Sequence, residues 1–368
     1  MKVAVYNIAK NEEQFIKRWA DSAKDADLIL LADTGSTDGT VELAKSCGVE
    51  VVEITIDPWR FDHARNASLD AIPEDFDYCI ALDVDEILLP GWRDGLEKAF
   101  KEGITRPRYK YVWSWNPDGT EGLTYGGDKI HARQYSWKHP VHETVSSTTG
   151  HETQNWYAEI EIHHHPDDTK SRGQYFPLLE LSVQEDPDDD RNAHYYAREL
   201  YFNRNDGDNW QKSIAEFKRH LSLPRAQWPP ERARTMRYLS ELETHMREPW
   251  LLRACAEAPD RREGWVDLCL YYYEKETWEA CFAAAKRALS IKDKPLEYLC
   301  EEHAWGFLPH DLAAISAHNL GFLDQAILYG RAALELSPED QRLKNNLEAY
   351  ETEMKEAERA LTQQRSVT

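Results

Sequence analysis

The first 86 residues alternate between short β-rich runs and amphipathic helical stretches, and that alternation leaves few folds open. Strand-like runs stand at Lys2 to Tyr6, Leu28 to Ala32, Val51 to Ile54 and Tyr78 to Leu82. Between them a helical period recurs at Glu12 to Ala23, Thr37 to Cys47 and His63 to Ala71. Strands separated in this way predict a parallel α/β sheet, because parallel neighbours need a crossover and helices then cover the faces. Such a sheet binds ligands in the crevice beyond the carboxyl ends of its strands. The polar clusters fall there, at Asn7 to Glu13, Asp33 to Asp38 and Asp83 to Glu86, so three loops are expected to converge on one mouth.

Each loop carries its own chemistry. Asp83-Val84-Asp85-Glu86 follows directly on the apolar run Tyr78 to Leu82. Two acids one residue apart at a strand end suit Mg²⁺ or Mn²⁺ carrying a diphosphate, since such ions are held by one or two carboxylates together with substrate phosphates. The run Asp33-Thr34-Gly35-Ser36-Thr37-Asp38-Gly39-Thr40 reads as a strand end, a glycine turn and a Ser/Thr cap opening a helix. Asp33 differs from its neighbours because a charge directly after a buried strand needs a partner. Arg65, in Phe61-Asp62-His63-Ala64-Arg65-Asn66, suits either a phosphate or an ion pair with one of these acids.

In this order, Asn11-Glu12, Asp33 to Thr40, Trp59 to Asn66 and Asp83 to Glu86 resemble glycosyltransferase family 2, whose fold is GT-A. Trp137-Lys138-His139-Pro140-Val141-His142-Glu143 and Ile160-Glu161-Ile162-His163-His164-His165 resemble a branch with a V-H-E motif and a later strand-borne histidine. That branch includes bacterial S-glycosyltransferases acting on peptide bacteriocins and lipopolysaccharide-core sugar transferases. The likeness spans about residues 1 to 180. It implies that Asn11, Glu12, Asp33, Arg65 and Asp83 bind the nucleotide sugar, with Asp33 reading the base. It also implies that Asp85 binds the metal directly, that Asp83 faces the ribose or the metal, and that His164 completes the metal site. An imidazole ligand favours Mn²⁺ over Mg²⁺. Alternation along the strand puts His163 and His165 on the face opposite His164.

The implied reaction is inverting transfer of a hexose-type sugar from a nucleoside diphosphate sugar, UDP first, with metal stabilising the leaving diphosphate. An acceptor hydroxyl then requires a base. Glu143 is the expected base, with His142 as positioner or second candidate, both following a strand predicted over Lys129 to Tyr135 and a turn at Pro140. The alternative is an ion pair between Glu143 and a neighbouring arginine such as Arg133. Glu86 could support the metal site from behind its ligands.

Beyond about residue 190 the pattern becomes long helices rich in Trp and Tyr, after the acidic connector Glu185 to Asp190. The expected architecture is an α/β GT-A (Rossmann-like) catalytic domain over residues 1–185, followed by an all-α tetratricopeptide-like repeat domain over 186–368. His220, Ala254 and Ala288 recur every 34 residues. Trp265, Leu268, Tyr272, Cys281 and Leu289 fit one unit, and Gly321, Ala326, Ala333, Leu334 and Pro338 a last one, displaced by an insertion around Pro295 to Pro309. Arg234 and Arg247 depart from the pattern in the preceding unit, around Glu231 to Pro259. Stacked helix pairs leave a concave surface suited to extended peptides, which makes a peptide or protein the expected acceptor. Packing against the catalytic domain or a homodimer contact is the structural alternative.

Composition narrows the classes. A formal charge of −22 disfavours nonspecific binding to nucleic acid without excluding a local basic groove. No apolar run is long enough to cross a bilayer, and mean hydropathy is −0.71. The chain enters its first strand at Lys2, with no secretory leader in view, and its cysteines lack framework spacing, so a cytoplasmic enzyme with reduced thiols is expected. Other readings are transfer to a glycolipid or lipopolysaccharide core, transfer to a hydroxymethylated nucleic-acid base, and a noncatalytic helical scaffold with an inactive sugar-nucleotide domain.

Overall fold

The computed structural model describes residues 1–166 and 175–367. It divides into two compact units, Met1–Pro187 with Leu296–Tyr298, and Asp188–Pro295 with the chain from Leu299 onward. The first unit opens with β1 (Val3–Ala9), α1 (Glu13–Ser22), β2 (Leu28–Asp33), α2 (Thr40–Ser46), β3 (Glu50–Glu53), α3 (Phe61–Asp70) and β4 (Tyr78–Ala81). It continues through β5 (Glu86–Leu88), α4 (Trp92–Lys101), β6 (Arg106–Val112), β7 (Thr124–Gly127), β8 (Ile130–Ala132), β9 (Tyr135–Lys138), β10 (Thr144–Ser147), β11 (Gln154–His164) and α5 (Tyr175–Glu185).

The main sheet has the order β3-β2-β1-β4-β8, parallel throughout except for the antiparallel edge strand β8. Val3 to Tyr6 and Ile80 to Leu82 are fully buried, because helices cover both faces of the central strands. Trp19, on the inner face of α1, donates from Nε1 to the Leu82 carbonyl at 2.9 Å. That bond fixes the strand end from which Asp83 emerges. A second sheet, β5-β11-β6-β7, sets His164 opposite Glu86 and therefore beside the same loop.

Two local expectations are corrected. Helix α2 begins at Thr40, not Thr37, because the Thr37 amide donates to Asn11 Oδ1 (2.8 Å) and the Thr40 amide to Asp38 Oδ1 (3.0 Å). The residues expected as a first turn instead tie the β2 loop to the β1 loop. The single strand expected over Lys129 to Tyr135 is two strands in different sheets, β8 pairing with β4 and β9 with β10. Ile130, His131 and Ala132 of β8 are all buried, whereas β9 alternates, with Tyr135 and Trp137 buried and Ser136 and Lys138 more open.

The second unit is helical: α6 (Asp190–Phe202), α7 (Asn209–Ser222), α8 (Pro229–Leu242), α9 (Arg247–Glu257), α10 (Arg262–Glu274), α11 (Trp278–Ser290), α12 (Glu302–Trp305), α13 (Leu308–Asn319), α14 (Leu323–Leu336) and α15 (Gln341–Val367). Helices pack in successive pairs, α6 on α7, α8 on α9, α10 on α11 and α13 on α14, with each pair also packing on the next. This is repeat-like packing. Buried small residues, Ala254 and Ala288, let the paired helices approach closely. Among the described residues no helix is long and apolar enough to cross a membrane.

The arginines that depart from the repeat pattern carry ion pairs. Arg247 pairs with Glu274, and Arg234 with Glu301. Arg237, only 4% exposed, pairs with Asp267 (2.5 Å) and Glu301 (2.9 Å). Burial alone would raise the Asp267 and Glu301 carboxyls, but Arg237 outweighs it and holds both below the usual carboxylate range. A depressed carboxyl contributes stability above its unfolded pKa and loses it as pH falls through its folded one. Arg237→Met should therefore destabilise the helical unit by about 3–5 kcal/mol at neutral pH. Wild type should lose stability steeply below about pH 4, while the variant shows a flatter acid limb, both read by urea unfolding across pH.

Candidate active site

Beyond the carboxyl ends of β1, β2 and β4 lies a cavity of about 960 Å³. Residues from all three polar loops line it, so the sheet brings them to one mouth. Asn11, Glu12, Asp33, Arg65, Asp83, Asp85 and His164 are among its walls; Glu143 and His142 are not.

Asp33 is buried, and its partners are amides. Its carboxylate accepts from the Gly35 (3.0 Å) and Ser36 (3.1 Å) N–H groups, which folds the loop back on itself. Gly35 has a φ of 98°, a conformation that glycine adopts without strain. Asn11 completes the crosslink, its amide donating to Ser36 Oγ at 2.9 Å. The rim of the cavity is thus preformed by backbone and short side chains.

Arg65 reaches the cavity wall from α3 and is 7% exposed. Its Nη2 donates to Asp83 Oδ1 at 2.8 Å, its Nε donates to Glu143 Oε1, and its guanidinium lies 5.0 Å over the Trp137 ring. Nη1 is buried without a hydrogen-bond partner. Burial works against the charged guanidinium, but the Asp83 and Glu143 carboxylates outweigh it and raise its pKa. The ion pair that the sequence offered for Arg65 therefore exists, and Glu143 pairs with Arg65, not with Arg133.

Lys129 is the residue that sequence reading missed. It sits one residue ahead of β8, and its Nζ bridges Asp83 Oδ2 (2.5 Å) and Glu86 Oε1 (2.8 Å). Both Asp83 oxygens are thus in ion pairs, while the residue still lines the cavity. Burial would raise the Asp83 carboxyl, but Arg65 and Lys129 hold it well below the usual range. Glu86, 1% exposed, also accepts from Tyr111 Oη and from the Asp83 amide, and burial raises its pKa despite Lys129. Glu86 braces the loop from beneath. A lone lysine after Gly126-Gly127-Asp128 gave no sequence signal; its role depends on an antiparallel pairing between β4 and β8.

Asp85 is left facing His164. The carboxylate Oδ2 and imidazole Nε2 are 3.4 Å apart, and among the described residues Asp85 contacts no Lys or Arg. His164 Nδ1 lies 2.9 Å from the Trp113 carbonyl, which sets Nδ1 as the N–H and turns the Nε2 lone pair toward Asp85. The Trp113 ring stacks on the imidazole with centroids 4.3 Å apart. Burial disfavours the imidazolium, but the bonds to Asp85 and Trp113 outweigh it and raise the His164 pKa.

This pair fits a divalent ion. Two ligand atoms each about 2.1 Å from one ion lie about 3 to 3.5 Å from each other, as these do. Among the described residues no third His, Cys or carboxylate closes on them. Remaining positions would fall to phosphate oxygens and water, the usual pattern when a metal arrives with a diphosphate.

Glu143 and His142 stand behind this wall. The segment is held to α3 by reciprocal bonds between Asn66 and the Trp137 backbone (2.8 and 2.9 Å) and by the Phe61 amide on the Pro140 carbonyl. His142, with φ of 51°, meets edge-on the ring of Tyr175, which does line the cavity. Trp59, Phe61 and Tyr175 form an aromatic side to the same space.

Comparison with known proteins agrees with this arrangement. Residues 5–141 match the glycosyl transferase family 2 model. A glycosyltransferase of Rickettsia bellii, described as uncharacterized, is 33% identical over 100 residues, or 27% of this chain and 33% of that protein. One from Rickettsia typhi is 31% identical over 100 residues, with the same shares. The chain spans about a third of the length of these relatives. Glucosyl-3-phosphoglycerate synthase from Mycobacterium tuberculosis, solved with Mn²⁺, UDP-glucose and phosphoglyceric acid, superposes with a TM-score of 0.36 at 18% identity, over 50% of this chain and 79% of that one. A superposition that loose adds nothing to the argument. By its sheet order and the cavity at its strand ends the N-terminal unit is a GT-A-like α/β domain, and its residues 5–141 are similar to glycosyl transferase family 2.

Proposed function

We propose that this protein is a metal-dependent glycosyltransferase that moves a hexose-type sugar from a nucleoside diphosphate sugar, UDP first, to a peptide or protein acceptor. The observation that carries the proposal is the pairing of Asp85 and His164, two ligating groups presented to the cavity with, among the described residues, no lysine or arginine on the carboxylate. The donor class rests on the family match to the domain that holds them. A bound divalent ion, Mn²⁺ before Mg²⁺ because of the imidazole, would supply stabilisation of the charge developing on the leaving diphosphate.

The chain's own residues account for the rest. Asp85 and His164 would hold the ion. Asp83 and Glu86, neutralised by Arg65 and Lys129, keep the loop that carries Asp85 in place. The unpartnered Arg65 Nη1 at the wall is a donor for a phosphate or sugar oxygen. Asp33, Asn11 and Glu12 form the rim assigned to the nucleotide. In the proposed displacement the acceptor oxygen or sulfur bonds to the anomeric carbon as the carbon–oxygen bond to phosphate breaks, and the acceptor's proton passes to solvent water. The diphosphate leaves with that electron pair and configuration inverts. Glu143 meets the cavity only through Arg65, so we assign it and His142 to positioning, not to proton transfer. The helical unit supports a peptide or protein acceptor through its repeat-like packing.

Nucleotide release from UDP-, GDP- and dTDP-sugars should require Mn²⁺ for one donor and fall at least about 10²-fold in Asp85→Asn and in His164→Ala. Neither turnover nor metal-dependent binding of any donor would sink the proposal. Glu143→Gln keeps an acceptor for Arg65 and should retain donor turnover within about tenfold, with an unchanged pH profile. A loss of about 10²–10⁴-fold together with loss of one limb of that profile would restore Glu143 as the base.

A further inference from the structure

The helical unit contains a group of side chains that its fold does not require. His194 lies near the start of α6, His220 in the last turn of α7 and Glu231 in the first turn of α8. All are buried, at 1%, 1% and 4% exposure. Each offers one ligand atom, and the three atoms lie within 4.8 Å of one another. His220 occupies the position at which the following repeats place the small, buried residues Ala254 and Ala288. A large polar ring in place of a methyl group is costly in a helix interface unless its nitrogens are used.

The surroundings orient both rings. Thr235 Oγ1, one turn along α8 from Glu231, stands 2.8 Å from His194 Nδ1 and 3.0 Å from His220 Nδ1. A hydroxyl oxygen has two lone pairs, so it can accept from both Nδ1–H groups. Each Nε2 then carries its ring's lone pair, the arrangement by which an outer hydrogen bond prepares a ligating histidine. His220 Nε2 faces Glu231 Oε1 at 3.4 Å yet makes no hydrogen bond.

We propose that His194, His220 and Glu231 bind one divalent transition-metal ion of the zinc class, which joins α6, α7 and α8. Two imidazoles and a carboxylate suit Zn²⁺ or Co²⁺, whereas Mg²⁺ and Ca²⁺ take oxygen ligands. The site is structural, and its ion is separate from the one proposed for Asp85 and His164.

The test uses the full chain carrying Asp85→Asn, which removes the carboxylate of the cavity pair. This protein is loaded with Zn²⁺ or Co²⁺, desalted and assayed for metal content, visible Co²⁺ absorption and melting temperature. About one ion per chain should remain, and Zn²⁺ should raise the melting temperature. Adding His220→Gln or Glu231→Gln should remove both the ion and the thermal shift while circular dichroism stays helical. If His220→Gln fails to fold, Glu231→Gln carries the test, since a carboxamide keeps the carboxylate's size. Retention of no ion by the Asp85→Asn protein overturns the proposal. So does unchanged occupancy in the added variants, which would move the ion to the half-exposed group Glu121, Glu161 and His163.

Discussion

Arg65 is the buried cation on which the cavity wall depends. One guanidinium on α3 holds Asp83, from the loop after β4, and Glu143, from the segment after β10's partner strand β9, while packing over Trp137. Without it two carboxylates would face each other in a largely buried space, where an unpaired charge is strongly destabilising. α3 thereby couples the metal-side loop to a segment 60 residues later in the chain. The V-H-E segment shapes the site by acting on Arg65 from behind.

Lys129 does for the other half of the loop what Arg65 does for the first. Three acids, Asp83, Glu86 and Glu143, share two cations, the buried Arg65 and the half-buried Lys129. Asp85 stands outside that network and faces an imidazole. This separation gives adjacent acids different work: Asp83 and Glu86 build the loop, and Asp85 remains available to a ligand. A cluster of four carboxylates near one strand end is tolerable only because its charges are divided in this way.

The helical unit uses buried polar groups differently. Arg237, Asp267 and Glu301 form a compensated ion network between helices. His194, His220, Thr235 and Glu231 form a convergent cluster whose donors and acceptors are arranged around a common point.

The sequence by itself determined the alternating strands and helices, the strand ends at which Asn11, Asp33 and Asp83 stand, and the helical period beyond residue 190, because periodicity and capping chemistry act over a few residues. It also placed His164 on the face opposite His163, since alternation is a property of any strand. It left Arg65 open between phosphate and ion pair, missed Lys129, and offered Arg133 as an example of an ion-pair partner for Glu143 where the structure has Arg65. Those outcomes were decided by tertiary structure, through the antiparallel addition of β8 to β4 and the docking of the β9 segment on α3. Charge partners tens of residues apart are selected by which strands pair, and pairing across the sheet leaves no local signature in the chain. The partners of Arg65 and Lys129 were decided in the same way: both reach Asp83, while Asp85 faces His164.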